Sequence, residues 1–261
     1  MVNIRFHGKA PYAVALLHGG PGAAGEMAPV ARRLAANGLG VLEPLQTADS
    51  VDGQIDELAE TLAQFARMPA TLLGYSWGAW LALLTAARYP ERVKKLILVS
   101  SGSLEEHYAQ KTLGERLKRL APKVRLEARR LLGLLDESSE PVEGNTLERL
   151  GEIFSRTDVF DPLPGAFEPV EVQMHIYQRV WGQAAELRRS GELLRCAALV
   201  QCPLTAIHGD FDPHPWQGVK EPLEKVLSSF EFVLLENCGH KPWIERQACE
   251  PFFIFLLKTI M

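Results

Sequence analysis

Short β-type runs alternate with longer helical patterns along the first part of the chain, and no other feature restricts the fold as strongly. Residues 13–17 read as a buried strand. A Gly/Pro loop follows, then a helix over about 26–36 that stops at Asn37 and Gly38, a helix C-terminal signal. Residues 40–42 make a second short strand. Ile55, Leu58, Ala59, Leu62, Phe65 and Ala66 then recur at the three-and-four spacing of one helix face. A third strand over 71–73, a helix over 79–89 ended by Pro90 and a fourth strand over 95–99 complete a βαβαβαβ order. Each parallel crossover needs a long return connection, so this order implies an α/β fold with a mostly parallel sheet and helices on both faces. Reacting groups in such sheets sit on loops beyond the carboxyl ends of the strands.

Between 103 and 190 the alternation stops and the chain reads as helices and loops, while from Gly191 onward strands over 203–207 and 230–235 and helices over 221–227 and 242–259 resume it. The expected organisation is a core of 1–102 and 191–261 with a helical cap, 103–190, inserted in it. Lys111, Arg116, Lys118, Arg119, Lys123, Arg125, Arg129 and Arg130 make the start of that insertion basic, which reads as a solvated helix face. With a net charge of -4 and no basic tail, the chain gives no reason to expect nucleic acid as a partner. The longest apolar runs, 13–17 and 252–257, fall far short of the roughly 18 to 20 residues that span a bilayer. The N-terminal residues build no secretory signal. Cys196, Cys202, Cys238 and Cys249 lack C-x-x-C pairing and read as reduced thiols, mostly buried, so a cytoplasmic location is expected.

Three loops carry the chemistry. Gly74-Tyr75-Ser76-Trp77-Gly78 falls between a strand and a helix, where small residues on both sides of Ser76 permit the tight turn that lifts a nucleophilic hydroxyl above the sheet. His18-Gly19-Gly20-Pro21-Gly22 follows the first strand. Its Gly20 N–H, with the N–H of Trp77, can hold a developing oxyanion. A dinucleotide site fails for lack of G-x-G-x-x-G, and a P-loop for lack of a following Gly-Lys-Ser/Thr. His208, Asp210, Asp212 and His214 alternate as metal ligands could, but Gly209 and Pro213 make a regular strand improbable there. Asn237-Cys238-Gly239-His240-Lys241-Pro242 supplies a histidine, whose pKa near ~6.5 suits proton transfer at neutral pH. Cys238 reads as packing beside it.

These loops resemble those of the α/β-hydrolase superfamily, and His18 to Gly22 together with Gly74 to Gly78 is similar to its prolyl iminopeptidase branch. The resemblance implies a serine, acid, histidine order, with the acid three residues after Gly209 at Asp212 and the histidine in Gly-His-x-Pro at His240. Asp210 is the runner-up acid, expected to shape the turn. Since few residues precede the first strand, residues 2–6 supply at most one leading antiparallel strand, and six or seven strands are expected. Where that branch carries Asp-x-Arg-Gly-x-Gly-x-Ser, this chain has Glu43-Pro44-Leu45-Gln46-Thr47-Ala48-Asp49-Ser50, which weighs toward the broader hydrolase class.

The resulting expectation is a serine hydrolase that cleaves a small ester or amide, with Ser76, Asp212 and His240 catalytic and Gly20 and Trp77 forming the oxyanion hole. No metal or organic cofactor is implied, and the partner is a small-molecule substrate. His7, His107, His175 and His214 receive no catalytic role. A prolyl iminopeptidase-type aminopeptidase is the alternative within the class. A ligand-binding or sensor protein on the same fold, and lyase or cofactor-free oxygenase chemistry, are the alternatives outside it.

Overall fold

The computed structural model describes residues 3–137, 144–167, 170 and 172–261, so that Val2 and Glu171 lie outside the described residues. The elements run β1 (Ile4–His7), β2 (Tyr12–Leu17), α1 (Ala28–Ala36), β3 (Gly40–Pro44), α2 (Val51–Phe65), β4 (Ala70–Tyr75), α3 (Trp77–Arg88) and β5 (Val93–Val99). After them come α4 (Glu106–Arg119), α5 (Pro122–Glu137), α6 (Gly144–Ser155), α7 (Met174–Arg189) and α8 (Glu192–Ala197). The chain closes with β6 (Leu204–Gly209), α9 (Gln217–Val226), β7 (Phe230–Leu235) and α10 (Cys249–Ile260). One seven-stranded sheet runs in the order β1-β3-β2-β4-β5-β6-β7. Only β1 is antiparallel, pairing Ile4 with Pro44 and His7 with Val41. This is the α/β-hydrolase fold, and residues 4–7 supply its single leading strand.

Strands buried on both faces should be apolar throughout rather than alternating. In β4 and β6 every residue is buried. Ala15, Leu17, Leu42, Leu72, Leu96 and Leu98 pack on one side with α2, α3 and α8. Val14, Leu16, Val41, Leu73, Ile97 and Ile207 pack on the other with Met27, Val30, Leu34 and Phe252. Helix α3 buries Trp77 through Ala86 without a break, as a helix apolar all round must. Ser50 begins α2 by accepting the Gly53 N–H at 3.1 Å.

The parallel register sets the carboxyl edge of the sheet. Tyr75 pairs with Val99, Val99 with Ile207, and Gly209 with Leu235, so the loops after β4, β6 and β7 leave at one level. One sequence expectation is corrected here. The helix expected over 242–259 is instead a short 3-10 turn, Pro242–Ile244, followed after a break by α10. The break frees Glu245 to turn inward, where it is fully buried.

Helices α4 to α6 form a small cluster of their own around Leu120, Ala128, Leu131, Leu150 and Ile153. Helix α7 buries Ile176, Val180 and Ala184 in the core beside the sheet, and an aromatic stack adds to that contact. Trp181 stacks on Trp80 with centroids 5.9 Å apart, Tyr177 stacks on Trp181 at 6.2 Å, and Trp80 donates its indole N–H to Gly102 O at 3.0 Å. Trp181→Ala is therefore expected to lower stability by about 2 kcal/mol. Hydrogen exchange should speed up in α7 while the amides of β4 and β5 stay protected; equal acceleration in both would show that the stack does not hold α7 separately.

Candidate active site

Ser76 stands between β4 and α3 with φ 52° and ψ -114°, in a backbone region that non-glycine residues rarely adopt. Its neighbours must be glycine for a steric reason. A Cβ on Gly74 would lie 2.1 Å from Gly78 O, and one on Gly78 would lie 2.3 Å from Leu17 O. The strand, the elbow and the first loop thus touch backbone to backbone. Trp77 is the first residue of α3, where the N–H has no intrahelical acceptor. The Trp77 indole is buried and donates to Gln46 Oε1 and Gln54 Oε1, both at 3.0 Å, while Gln46 Nε2 donates to His18 O at 3.1 Å. Gln46 therefore ties the elbow to the loop that holds Gly20. It sits in the stretch that departs from the iminopeptidase pattern, and nothing in its sequence spacing marks it. Gln54 left a fainter signal, as a polar residue one turn before Leu58 on the apolar face of α2.

Three of the expected residues converge in line. His240 Nε2 lies 3.2 Å from Ser76 Oγ, and His240 Nδ1 lies 2.6 Å from Asp212 Oδ2. Ser76 is partly exposed, whereas Asp212 and His240 are buried. Asp210 stays out of this chain. It is exposed and its Oδ1 accepts the Cys238 N–H at 3.1 Å, which makes it a turn residue. Cys238 is fully buried, hydrogen-bonds to Gly239 O, and has its thiol pushed up by burial first and by nearby Glu245 next.

Histidines crowd Asp212. His214 Nδ1 is 2.8 Å from Oδ1, which also accepts the His214 backbone N–H at 2.9 Å, and His208 Nε2 is 3.3 Å from Oδ2. Burial alone would raise the carboxyl, but His240, His214 and His208 outweigh it and hold Asp212 well below the ordinary carboxylate range. Burial likewise lowers His214 to about 4 and lowers His208. His214, which the sequence left without a role, is thus part of the site. Its alternation with Asp212 was the available signal, read there as possible metal ligation. The four residues of that reading do not converge, because Asp210 faces away. Asp212, His214 and His240 do offer ligand atoms within 4.8 Å of one another, but those atoms already hydrogen-bond among themselves.

Glu245 and Asp158 hold the histidine loop from outside. Glu245 Oε1 accepts the Gly239 and Phe160 N–H groups at 2.9 and 2.8 Å, and Oε2 accepts the Asp161 N–H at 2.8 Å. The His240 N–H donates to Asp158 O at 2.6 Å. The Asp158 carboxylate takes the Arg116 guanidinium in a two-pronged pair at 2.9 and 2.5 Å, and Arg119 lies 3.9 Å above the Phe211 ring. The basic face of α4 is therefore not wholly solvated, since two of its arginines fasten it across the acid and histidine loops. On the opposite side Lys241 pairs with Glu26 at 2.8 Å, and the Tyr75 ring packs on His240 at 5.0 Å. Burial, with Glu26 and Asp212 adding to it, keeps the Tyr75 phenol well above its usual range and so neutral.

The sequence profile of the alpha/beta hydrolase fold matches residues 46–247, and the chain belongs to that family. Over 71 residues it is 41% identical to a Bacillus subtilis (strain 168) protein named "Putative 2-succinyl-6-hydroxy-2,4-cyclohexadiene-1-carboxylate synthase", a stretch of 27% of this chain and 24% of that protein. Among solved structures, VinJ superposes with a TM-score of 0.72 at 19% identity, covering 99% of this chain and 95% of the other. The proline iminopeptidase of Mycobacterium smegmatis gives 0.68 at 16% identity over 98% and 93%. These likenesses share the fold. Among the described residues, no helix is long and apolar enough to cross a membrane.

Glu245 offers a test of how the histidine loop is held. In Glu245→Gln one carboxamide oxygen can still serve Gly239 and Phe160, but the NH2 group then faces the Asp161 N–H, leaving a buried donor unmet at a cost of about 1–3 kcal/mol. Urea unfolding should show a lower midpoint with an unchanged m-value. An unaltered midpoint would mean that these bonds do not hold the loop.

Proposed function

We propose that the protein is a serine hydrolase that cleaves a small ester or amide through an acyl-enzyme. The observation that carries this reading is the line from Ser76 Oγ through His240 to Asp212, at 3.2 and 2.6 Å, on a strained elbow at the carboxyl edge of the sheet. Ser76 Oγ attacks the carbonyl carbon while His240 Nε2 takes its proton. The proton then passes to the leaving alcohol or amine, and water repeats the sequence to release the acid. Asp212 keeps the Nδ1 proton on His240 and stabilises the imidazolium. The N–H groups of Gly20 and Trp77 receive the oxyanion, the second being the unpaired first donor of α3. Residues 103–190 act as a cap over a core of 1–102 and 191–261 and select the substrate, a small molecule. These side chains suffice for the chemistry, and the reading calls on no cofactor.

A second reading draws on the Bacillus subtilis relative, whose name is that of a synthase. A histidine-activated serine can remove a proton as well as attack a carbonyl. Labelling of Ser76 by a fluorophosphonate together with Ser76-dependent ester hydrolysis favours the first reading, while absence of ester hydrolysis by protein whose Ser76 is labelled favours the second.

Within the first reading, Ser76→Ala should abolish hydrolysis of short p-nitrophenyl esters with the fold intact, and a loss below about tenfold would remove the assignment. Asp212→Asn should lower kcat by about 10³ to 10⁴, and Asp210→Asn far less, since Asp210 serves only the turn.

Substrate class follows from the carboxylates. An aminopeptidase must hold a desolvated ammonium and needs acids near the nucleophile. Of the acids in the helical segment, Glu106 is taken by Arg188, Glu152 by Arg149 and Asp158 by Arg116, Glu105 stands at the N-cap of α4, and Glu171 lies outside the described residues. Prolyl-β-naphthylamide should therefore be a poorer substrate than a short-chain acyl ester when kcat/KM is measured for both on one preparation. Faster turnover of the amide would require Glu105, or one of the paired carboxylates released from its arginine, to face Ser76.

A further inference from the structure

We infer that His214 is a positioning residue for this reaction, a second imidazole that donates to the Asp212 oxygen not used by His240 and so sets how strongly the carboxylate holds His240. The inference rests on the reading of Ser76, His240 and Asp212 given above. Oδ1 accepts the backbone N–H of His214 at 2.9 Å and its ring at 2.8 Å, and Oδ2 accepts His240 at 2.6 Å. An ionised carboxylate can only accept, so His214 must carry its proton on Nδ1. The His214 ring lies against that of His240, centroids 4.5 Å apart. His208 fixes the backbone behind it, its Nε2 donating to His214 O at 3.0 Å. A chain of bonds therefore runs from His208 through His214, Asp212 and His240 to Ser76.

The charged and titratable groups that face His214 are Asp212 on its own loop, His208 at the end of β6, His240 after β7 and Arg116 on α4, the last already paired with Asp158. Burial, His240 and Arg116 outweigh Asp212 and keep the His214 ring neutral at physiological pH. A neutral donor draws charge from the carboxylate without becoming a rival counter-ion. Its loss leaves Asp212 more basic toward His240. The acid limb of the rate profile should then move to higher pH.

Imidazole 15N NMR titration of the full chain, run beside kcat and KM for p-nitrophenyl acetate against pH, tests this. In the wild type His214 should be the neutral Nδ1–H tautomer down to about pH 5. His214→Phe should move the acid limb of the kcat profile to higher pH and lower kcat roughly three- to tenfold with KM unchanged. His214→Asn, whose Nδ2 donor can occupy the Nδ1 position, should restore both. An Nε2–H tautomer in the wild type, an unmoved acid limb in His214→Phe, or equal movement of that limb in both variants would overturn the inference. If His214→Phe does not fold, the wild-type tautomer and the His214→Asn titration decide it. If Ser76 fails to react with a fluorophosphonate, the hydrolase reading falls while the NMR titration still judges His214.

Discussion

Ser76 keeps a backbone conformation that costs of order 1–3 kcal/mol in a non-glycine residue, and such a residue persists only where its surroundings over-determine it. Here they do so by backbone contact. Gly74 meets Gly78 and Gly78 meets Leu17 at distances that leave no room for a methyl group, while α3 is buried along ten consecutive residues. The sheet register does the rest, because β4, β5, β6 and β7 end at one level and deliver the Asp212 and His240 loops beside the elbow. Gln46, bonded to the Trp77 indole and to His18, locks the loop of Gly20 to the same point.

Two buried carboxylates beside the site are satisfied in different ways. Glu245 accepts backbone N–H groups only, from Gly239, Phe160 and Asp161, so it ties two loops together and has no titratable partner among those bonds. Asp212 accepts from imidazoles, whose protons can move. A buried polar network is worth most when every member is satisfied. The difference in donors is why Glu245 reads as a fastener of loops and Asp212 as a residue that orients imidazoles.

Family membership and reaction are separate matters, since one fold hosts many chemistries. The iminopeptidase, VinJ and the synthase-named relative share architecture with this chain, while the reading of function rests on the site itself. The arginines of the helical segment matter in that respect. Arg116, Arg149 and Arg188 hold Asp158, Glu152 and Glu106 in ion pairs. Arg116 also fastens α4 across the histidine loop, since the Asp158 it pairs with accepts the His240 N–H.

The sequence alone determined what depends on local sterics and periodicity. The alternation of strands and helices and the elbow around Ser76 were legible because each is carried by residues a few positions apart, while the order of the serine, acid and histidine loops was what the family resemblance implied. The start of the last helix differs from the sequence expectation, since Pro242 signals a helix start but cannot show that Glu245 will turn inward to meet backbone donors 84 and 85 positions away. Asp212 rather than Asp210 bonds His240 across 28 positions, and His240 reaches Ser76 across 164. Those distances are fixed only when the parallel register brings the strand ends together, as are the roles of His214, Gln46 and Arg116. Spacing along a chain says which groups could meet; the burial and orientation that decide which do meet exist only in the packed fold.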